Sequence, residues 1–270
     1  MYMIGLIVVG VVIVFSTYVT KPKKKTYRNL MTAGLVLVIA GGSGLYESFQ
    51  MPSKSSPSTA NNIVKSNSSY SDLAKLNYDK EQIITINGDK PTFSDEELST
   101  SRGAWEEYSN LDRLNRAGVA NAMLNKGIMP TAKREQLYVD PTGWHNKKIN
   151  GHDWLYNRSH LIGYQFTGQN NNPKNLITGT KSLNNPGMLK YEEDMAYYIR
   201  RNPENYVRYR VEPVYRGNEL VARGVHMMAT SLTAQGRKDG QVSFNIYIFN
   251  IEKGVQINYT DGTSKIVNDN

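Results

Sequence analysis

The distribution of apolar and polar positions divides the chain into three parts. Residues 3–20 and 30–46 are two uncharged, apolar-rich runs on either side of a short loop, residues 21–28, that holds five basic side chains. Each run is close to the ~20 residues that cross a bilayer. Short basic loops stay on the cytoplasmic side. The pattern therefore predicts a transmembrane helical hairpin within residues 1–50, with the remainder of the chain outside the cell membrane. Gly34, Gly41, Gly42 and Gly44 in the second run suit close helix–helix contact. Residues 51–70 are rich in Ser, Pro and Asn and have no core-forming pattern, as in a flexible linker. Residues 71–270 form the third part, a globular domain of mixed periodicity.

Within that domain the spacing predicts a hairpin over residues 82–93 turning at Asn87-Gly88. It predicts a helix over residues 111–126 ending at Gly127, with Leu111, Leu114, Ala122 and Met123 buried. Residues 207–215 alternate, Val207, Tyr209 and Val211 against Arg208, Arg210 and Glu212, and read as a half-buried strand. A turn at Gly217-Asn218 leads to a strand near residues 220–228. Residues 242–251 form a third strand, and Ile257 and Tyr259 precede a turn at Asp261-Gly262. A helix is expected over residues 186–201, with Pro186 in its first turn. Together these elements predict an α+β fold with a mainly antiparallel sheet.

Composition narrows the chemistry. No cysteine is present, which excludes disulfide frameworks, CxxC zinc sites, Fe–S clusters and thiol nucleophiles. The four histidines, His145, His152, His160 and His226, make a multi-histidine zinc site improbable. The formal net charge of +8 is unevenly spread: residues 126–238 hold 17 basic against 9 acidic residues. That stretch is where a polyanion would bind.

The same stretch carries the candidate motifs. Asn157-Arg158-Ser159-His160 is followed by Pro173-Lys174-Asn175, then by Leu183-Asn184-Asn185-Pro186, with Glu192 eight residues after Asn184. On a continuous helix eight residues separate two side chains by about 80° around the axis, close enough to share a metal site. Taken alone, the spacing is better explained by an asparagine helix cap and a solvated glutamate, and a lone histidine is more often structural than catalytic.

Taken together and in order, these motifs resemble those of the DNA/RNA non-specific endonucleases of the ββα-metal (His-Me finger) superfamily. With the N-terminal anchor and linker, the chain is most similar to the membrane-bound DNA-entry nucleases of Gram-positive bacteria. The family's Asp-Arg-Gly-His stands here as Asn157-Arg158-Ser159-His160. The resemblance implies a ββα-metal fold and a Mg2+-dependent endonuclease acting on DNA or RNA, with Mn2+ as a substitute ion. It implies His160 as the group that activates water, Asn184 as the metal ligand and Glu192 as the orienter of metal-bound water. Lys133, Arg134 and Asn175 form the expected substrate-binding set, Lys133 and Arg134 on phosphate and Asn175 either holding the site or touching the metal waters. Transition-state charge is expected to be met by Lys133, Arg134 or Arg158 with the metal. A membrane and DNA-uptake proteins are the implied partners. A second class stays open, a catalytically impaired nucleic-acid-binding module of the DNA-uptake machinery, because the family's Asp is Asn157.

The hairpin and linker generate a test. Mild protease on intact, wall-stripped cells is expected to cut within residues 51–70 and release an active fragment of about 200 residues. Release only after lysis would reverse the topology.

Overall fold

The computed structural model describes residues 69–267. The expected transmembrane hairpin and nearly all of the expected linker lie outside these residues. Among the described residues no helix is long and apolar enough to cross a membrane.

A six-stranded, wholly antiparallel sheet organises the domain. Its strands are β1 (Ile83–Thr85), β2 (Trp105–Tyr108), β3 (Ala120–Asn125), β8 (Tyr206–Val214), β9 (Gly224–Leu232) and β10 (Lys238–Phe249), in the order β1-β10-β9-β8-β3-β2. Between β3 and β8 the chain leaves the sheet. There it forms the two-residue pair β4 (Lys148–Ile149) and β5 (Asp153–Trp154), then the ribbon of β6 (Tyr156–His160) and β7 (Leu176–Thr180). The short helix α2 (Tyr164–Thr167) lies between β6 and β7, as α1 (Tyr70–Leu73) lies before β1, and α3 (Leu189–Arg201) follows β7. A second ribbon, β11 (Val255–Ile257) with β12 (Ser264–Ile266), closes the described chain. The expected α+β class and central antiparallel sheet are both observed, and β6, β7 and α3 form the ββα unit.

The core lies on one face of the sheet. Val207, Tyr209 and Val211 of β8, with Val225, Met227 and Ala229 of β9, pack against Met195, Ala196 and Ile199 of α3 and against Leu161 and Ile162. The opposite face is covered too. Phe93, Leu98 and Trp105 close over Met123, Met228 and Leu232, so β8 is buried on both faces at Arg208, while Arg210 and Glu212 stay partly exposed as the alternation predicted. Arg208 is only 3% exposed. Its guanidinium donates to the Tyr209 carbonyl (2.7 Å) and Asn121 Oδ1 (2.8 Å), and pairs with Glu97 at 3.2 Å. The rings of Phe93 and Trp105 lie 4.7 and 5.1 Å away. An alternating Arg is thus buried because a segment distant in sequence covers it.

Two other expectations are corrected. Residues 111–126 are not a helix. Asp112 Oδ1 accepts from the N–H groups of Leu114 and Arg116, Asn115 turns the chain with φ 60°, and residues 120–125 are a central strand. Ala122 and Met123 are buried as expected, but on opposite sheet faces, so neither period is visible and the helix-favouring Ala, Met and Leu are overridden by pairing with β8 and β2. Residues 82–93 turn at Asn87-Gly88 but do not fold back as a hairpin. Instead β1 pairs with β10, aligning Ile84 with Tyr247, because this pairing buries Ile84 and Ile86 with Leu73, Tyr247 and Phe249.

The β6–β7 ribbon is fastened to the sheet by a buried amide just beyond β10. Asn250, fully buried, accepts from the Thr180 N–H (2.8 Å) and donates to the carbonyls of Thr178 (3.0 Å) and Ala222 (2.9 Å). Asn250→Ala would leave three buried backbone groups unpaired. A loss of about 3 kcal/mol is expected, read in urea as a lower midpoint at unchanged slope.

Candidate active site

His160 ends β6 and faces a cavity of about 410 Å3, which Asn184 and Glu192 also line together with Arg134, Asn157 and Arg158. These residues come from four separate stretches of chain, converging because the ribbon and α3 pack on the same sheet face.

His160 is 7% exposed, and its Nε2 lies 2.8 Å from the Asn170 carbonyl oxygen. A carbonyl only accepts, so Nε2 carries the proton and Nδ1 keeps its lone pair. Burial holds the imidazole pKa below its usual value, and the nearby Arg134 charge lowers it further, against the hydrogen bonds to the Asn170 and Gln169 backbone. The ring is therefore neutral at neutral pH, with a single tautomer favoured.

Glu192 sits where an apolar residue would be expected. The buried positions of α3 are Glu192, Met195, Ala196, Tyr198 and Ile199, and all but Tyr198 form an i, i+3, i+4, i+7 stripe. Burial pushes the carboxyl pKa up to about 7, while the Gln165 side chain, the Gly163 backbone and Arg134 pull it down. A Cβ at Gly163 would lie 2.8 Å from Glu192 Oε2, so a larger residue there would push the carboxylate aside.

Asn184 lies in the distorted turn Leu183–Met188 that precedes α3. Asn185 is extended there (φ −142°, ψ 116°), so the continuous-helix angle between Asn184 and Glu192 does not apply, although both reach the cavity. The Asn184 side chain makes no hydrogen bond to any described residue, whereas Asn185 is exposed.

The cationic candidates separate. Arg134 lines the cavity, its guanidinium 5.4 Å from the Tyr164 ring centroid. Lys133 is exposed and stands outside the cavity wall. Arg158 lines the cavity with its Nε donating to Asp140 Oδ1 at 2.9 Å. Asn175 does not face the cavity at all. It is fully buried, accepting from the Ile162 N–H (2.8 Å) and donating to the Ile162 carbonyl (3.0 Å). Sealed there, it clamps the strand end just beyond His160, a positioning role. Ser159, at the family's glycine position, is buried with its hydroxyl unpartnered, and Gly179 leaves room for it, since a Cβ there would meet Ser159 Oγ.

Other functional features were missed in the sequence. Asn170 and Asn171 donate to the carbonyls of Glu135 (2.8 Å) and Gln136 (3.1 Å), holding the Arg134 segment over the cavity. The run Asn170-Asn171-Asn172 was the available signal. Among the remaining histidines, His226 sits outside the cavity and bonds Asn245 Oδ1 at 2.7 Å, and His145 Nδ1 is engaged by the Asp261 carbonyl.

A two-stranded ribbon followed by a helix, holding a buried histidine, an unpartnered amide and a buried carboxylate in one cleft, defines a ββα-type nuclease site. Residues 98–232, half of the chain, match the DNA/RNA non-specific endonuclease family, and the chain belongs to that family. A deoxyribonuclease of Streptococcus dysgalactiae subsp. equisimilis is 37% identical over 120 residues, which are 43% of this chain and 34% of that protein. The chain thus matches about a third of that relative's length. The structure is similar to NucA from Streptococcus agalactiae, solved without metal and with a magnesium ion bound. The TM-score is 0.59 for both, at 27% and 28% identity, covering 68% of this chain and 86% of NucA. It is also similar to Sda1 nuclease with bound zinc, with TM-score 0.53 and 28% identity, covering 58% of this chain and 79% of Sda1.

Glu192 supplies a prediction. Its folded pKa is raised from the ordinary 4.5 to about 7, so between those pH values the folded protein binds more protons than the unfolded chain and stability falls as pH rises. Metal-free protein is expected to lose stability from about pH 4.5 to pH 7, and Glu192→Gln to flatten that slope. Thermal melts across the range measure it.

Proposed function

We propose that the chain is a metal-dependent endonuclease that hydrolyses phosphodiester bonds of DNA, with RNA as a second substrate, without reading sequence. The observation that carries this reading is the tautomer of His160: a neutral, buried imidazole with Nδ1 free to accept a proton, in the same cleft as Asn184 and Glu192.

The residues fit a hard divalent cation. Among the described residues no three His, Asp or Glu side chains cluster as a metal cage. The cleft offers one unengaged amide oxygen at Asn184 and a carboxylate at Glu192. That set suits Mg2+, which keeps most of its waters, with Mn2+ as a substitute. When bound, the ion supplies charge neutralisation at the phosphate and at the leaving oxygen.

The chain's own groups do the rest. His160 Nδ1 takes the proton of the water whose oxygen attacks phosphorus. The bond from phosphorus to the leaving 3′ oxygen breaks, and that oxygen is protonated from solvent. Asn184 would hold the cation by its side-chain oxygen, and Glu192 would orient the waters that the cation keeps. Arg134 and Arg158 contact phosphate oxygens. Backbone contacts of this kind carry no sequence information. The apolar runs and the basic loop at residues 21–28 support a domain held outside the cell membrane, where DNA-uptake proteins are candidate partners.

Cleavage of circular plasmid with Mg2+ and its loss in excess EDTA test the reading. His160→Ala is expected to lower turnover by roughly 10²–10⁴, His226→Ala far less, and Asn184→Ala to abolish metal-dependent cleavage. The acid limb of kcat/KM in the wild-type protein should fall below pH 6.5, because the imidazole pKa is depressed. DNA binding without cleavage would identify the impaired module instead.

A further inference from the structure

A second cavity, of about 680 Å3, adjoins the catalytic cleft and shares Leu137, Asn157 and Arg158 with it. None of the hydrolytic roles uses its other walls. Two of these are tryptophans, Trp144 and Trp154. Trp154 is 52% exposed, unusual for so large a ring. The Lys148 ammonium lies 5.7 Å from its ring centroid, and the Arg158 guanidinium lies 4.6 Å from that of Trp144.

The cavity is built in advance. The Asn146 side chain makes hydrogen bonds of 2.9 Å with both the N–H and the carbonyl of Tyr156, and the Tyr156 hydroxyl donates to the Gly262 carbonyl at 2.9 Å. Arg158 is tied to Asp140, so the residue common to both cavities is held in place. Little ordering is then needed on binding.

Flat aromatic faces beside cations, one of them Arg158 held by Asp140, match a nucleobase joined to a phosphate. We infer that this cavity is a subsite for an unstacked nucleobase of the substrate strand, beside the scissile phosphate, with Trp154 as the stacking platform. Arg158 stands at the junction, in reach of the phosphate on one side and stacked on Trp144 on the other. The inference rests on the endonuclease reading for the orientation of the strand. It adds a preference: single-stranded DNA presents an unstacked base directly, whereas a duplex must first give one up at an energetic cost.

The experiment separates the two readings. Metal-free His160→Ala protein is titrated with single-stranded oligonucleotides carrying 2-aminopurine, whose fluorescence falls on stacking. Quenching is expected, reduced affinity by about tenfold in the added Trp154→Ala change, and recovery with Trp154→Phe. Tyr197→Ala, an exposed aromatic elsewhere on the molecule, should leave the quenching unchanged. In the active protein, Trp154→Ala should raise KM for single strands by a similar factor, raise it less for duplex, and leave kcat unaffected. Absence of quenching, or quenching and KM indifferent to Trp154, overturns the subsite even if plasmid is cleaved. Trp154-dependent quenching in a protein that cleaves nothing keeps the subsite and removes the nuclease reading.

Discussion

The site depends on how a two-stranded ribbon, outside the main sheet, is held against it. Asn250 does this with three hydrogen bonds, two to β7 and one to the Ala222 carbonyl. A second buried amide, Asn175, clamps Ile162 just past His160. Neither reaches the cleft. Both satisfy backbone groups that a sheet would otherwise pair, and an apolar residue in either place would leave those groups buried and unpaired. The ribbon's position, and with it that of His160, is therefore set by polar contacts over an apolar core.

That arrangement explains the electrostatics. His160 and Glu192 share a cleft that excludes much of the solvent, and burial moves both toward neutrality: the imidazole pKa falls and the carboxyl pKa rises. For a proton acceptor the shift is useful, since it keeps the lone pair free at neutral pH. For a carboxylate it is a cost, relieved in part by Arg134 and the Gly163 backbone. A bound divalent cation would relieve it further. The glycine at position 163 lets backbone and carboxylate approach closely enough for this.

Arg158 links chemistry to recognition. It lines the catalytic cleft and the tryptophan-lined cavity beside it, tied to Asp140 and stacked on Trp144. A strand with its phosphate in one and a base in the other would be gripped through features every nucleotide shares. Such contacts favour tolerance of sequence over selection of it.

The sequence alone was sufficient for the class of fold, for strands β8 and β10, for the long helix and for the ordered motifs that single out His160, Asn184 and Glu192. These are local or motif properties: alternation, propensity and spacing within short stretches. It misread residues 111–126, where both faces of β3 are buried and the period is erased, and it paired β1 with its neighbour instead of with β10. It left Asn175 between holding the site and touching the metal waters, and the structure seals that side chain in the core. Tertiary structure decided those points, because a strand's partner, the burial of Arg208 and the choice between a clamp and a contact all depend on chain segments far apart in sequence that meet only when apolar surface is removed from water.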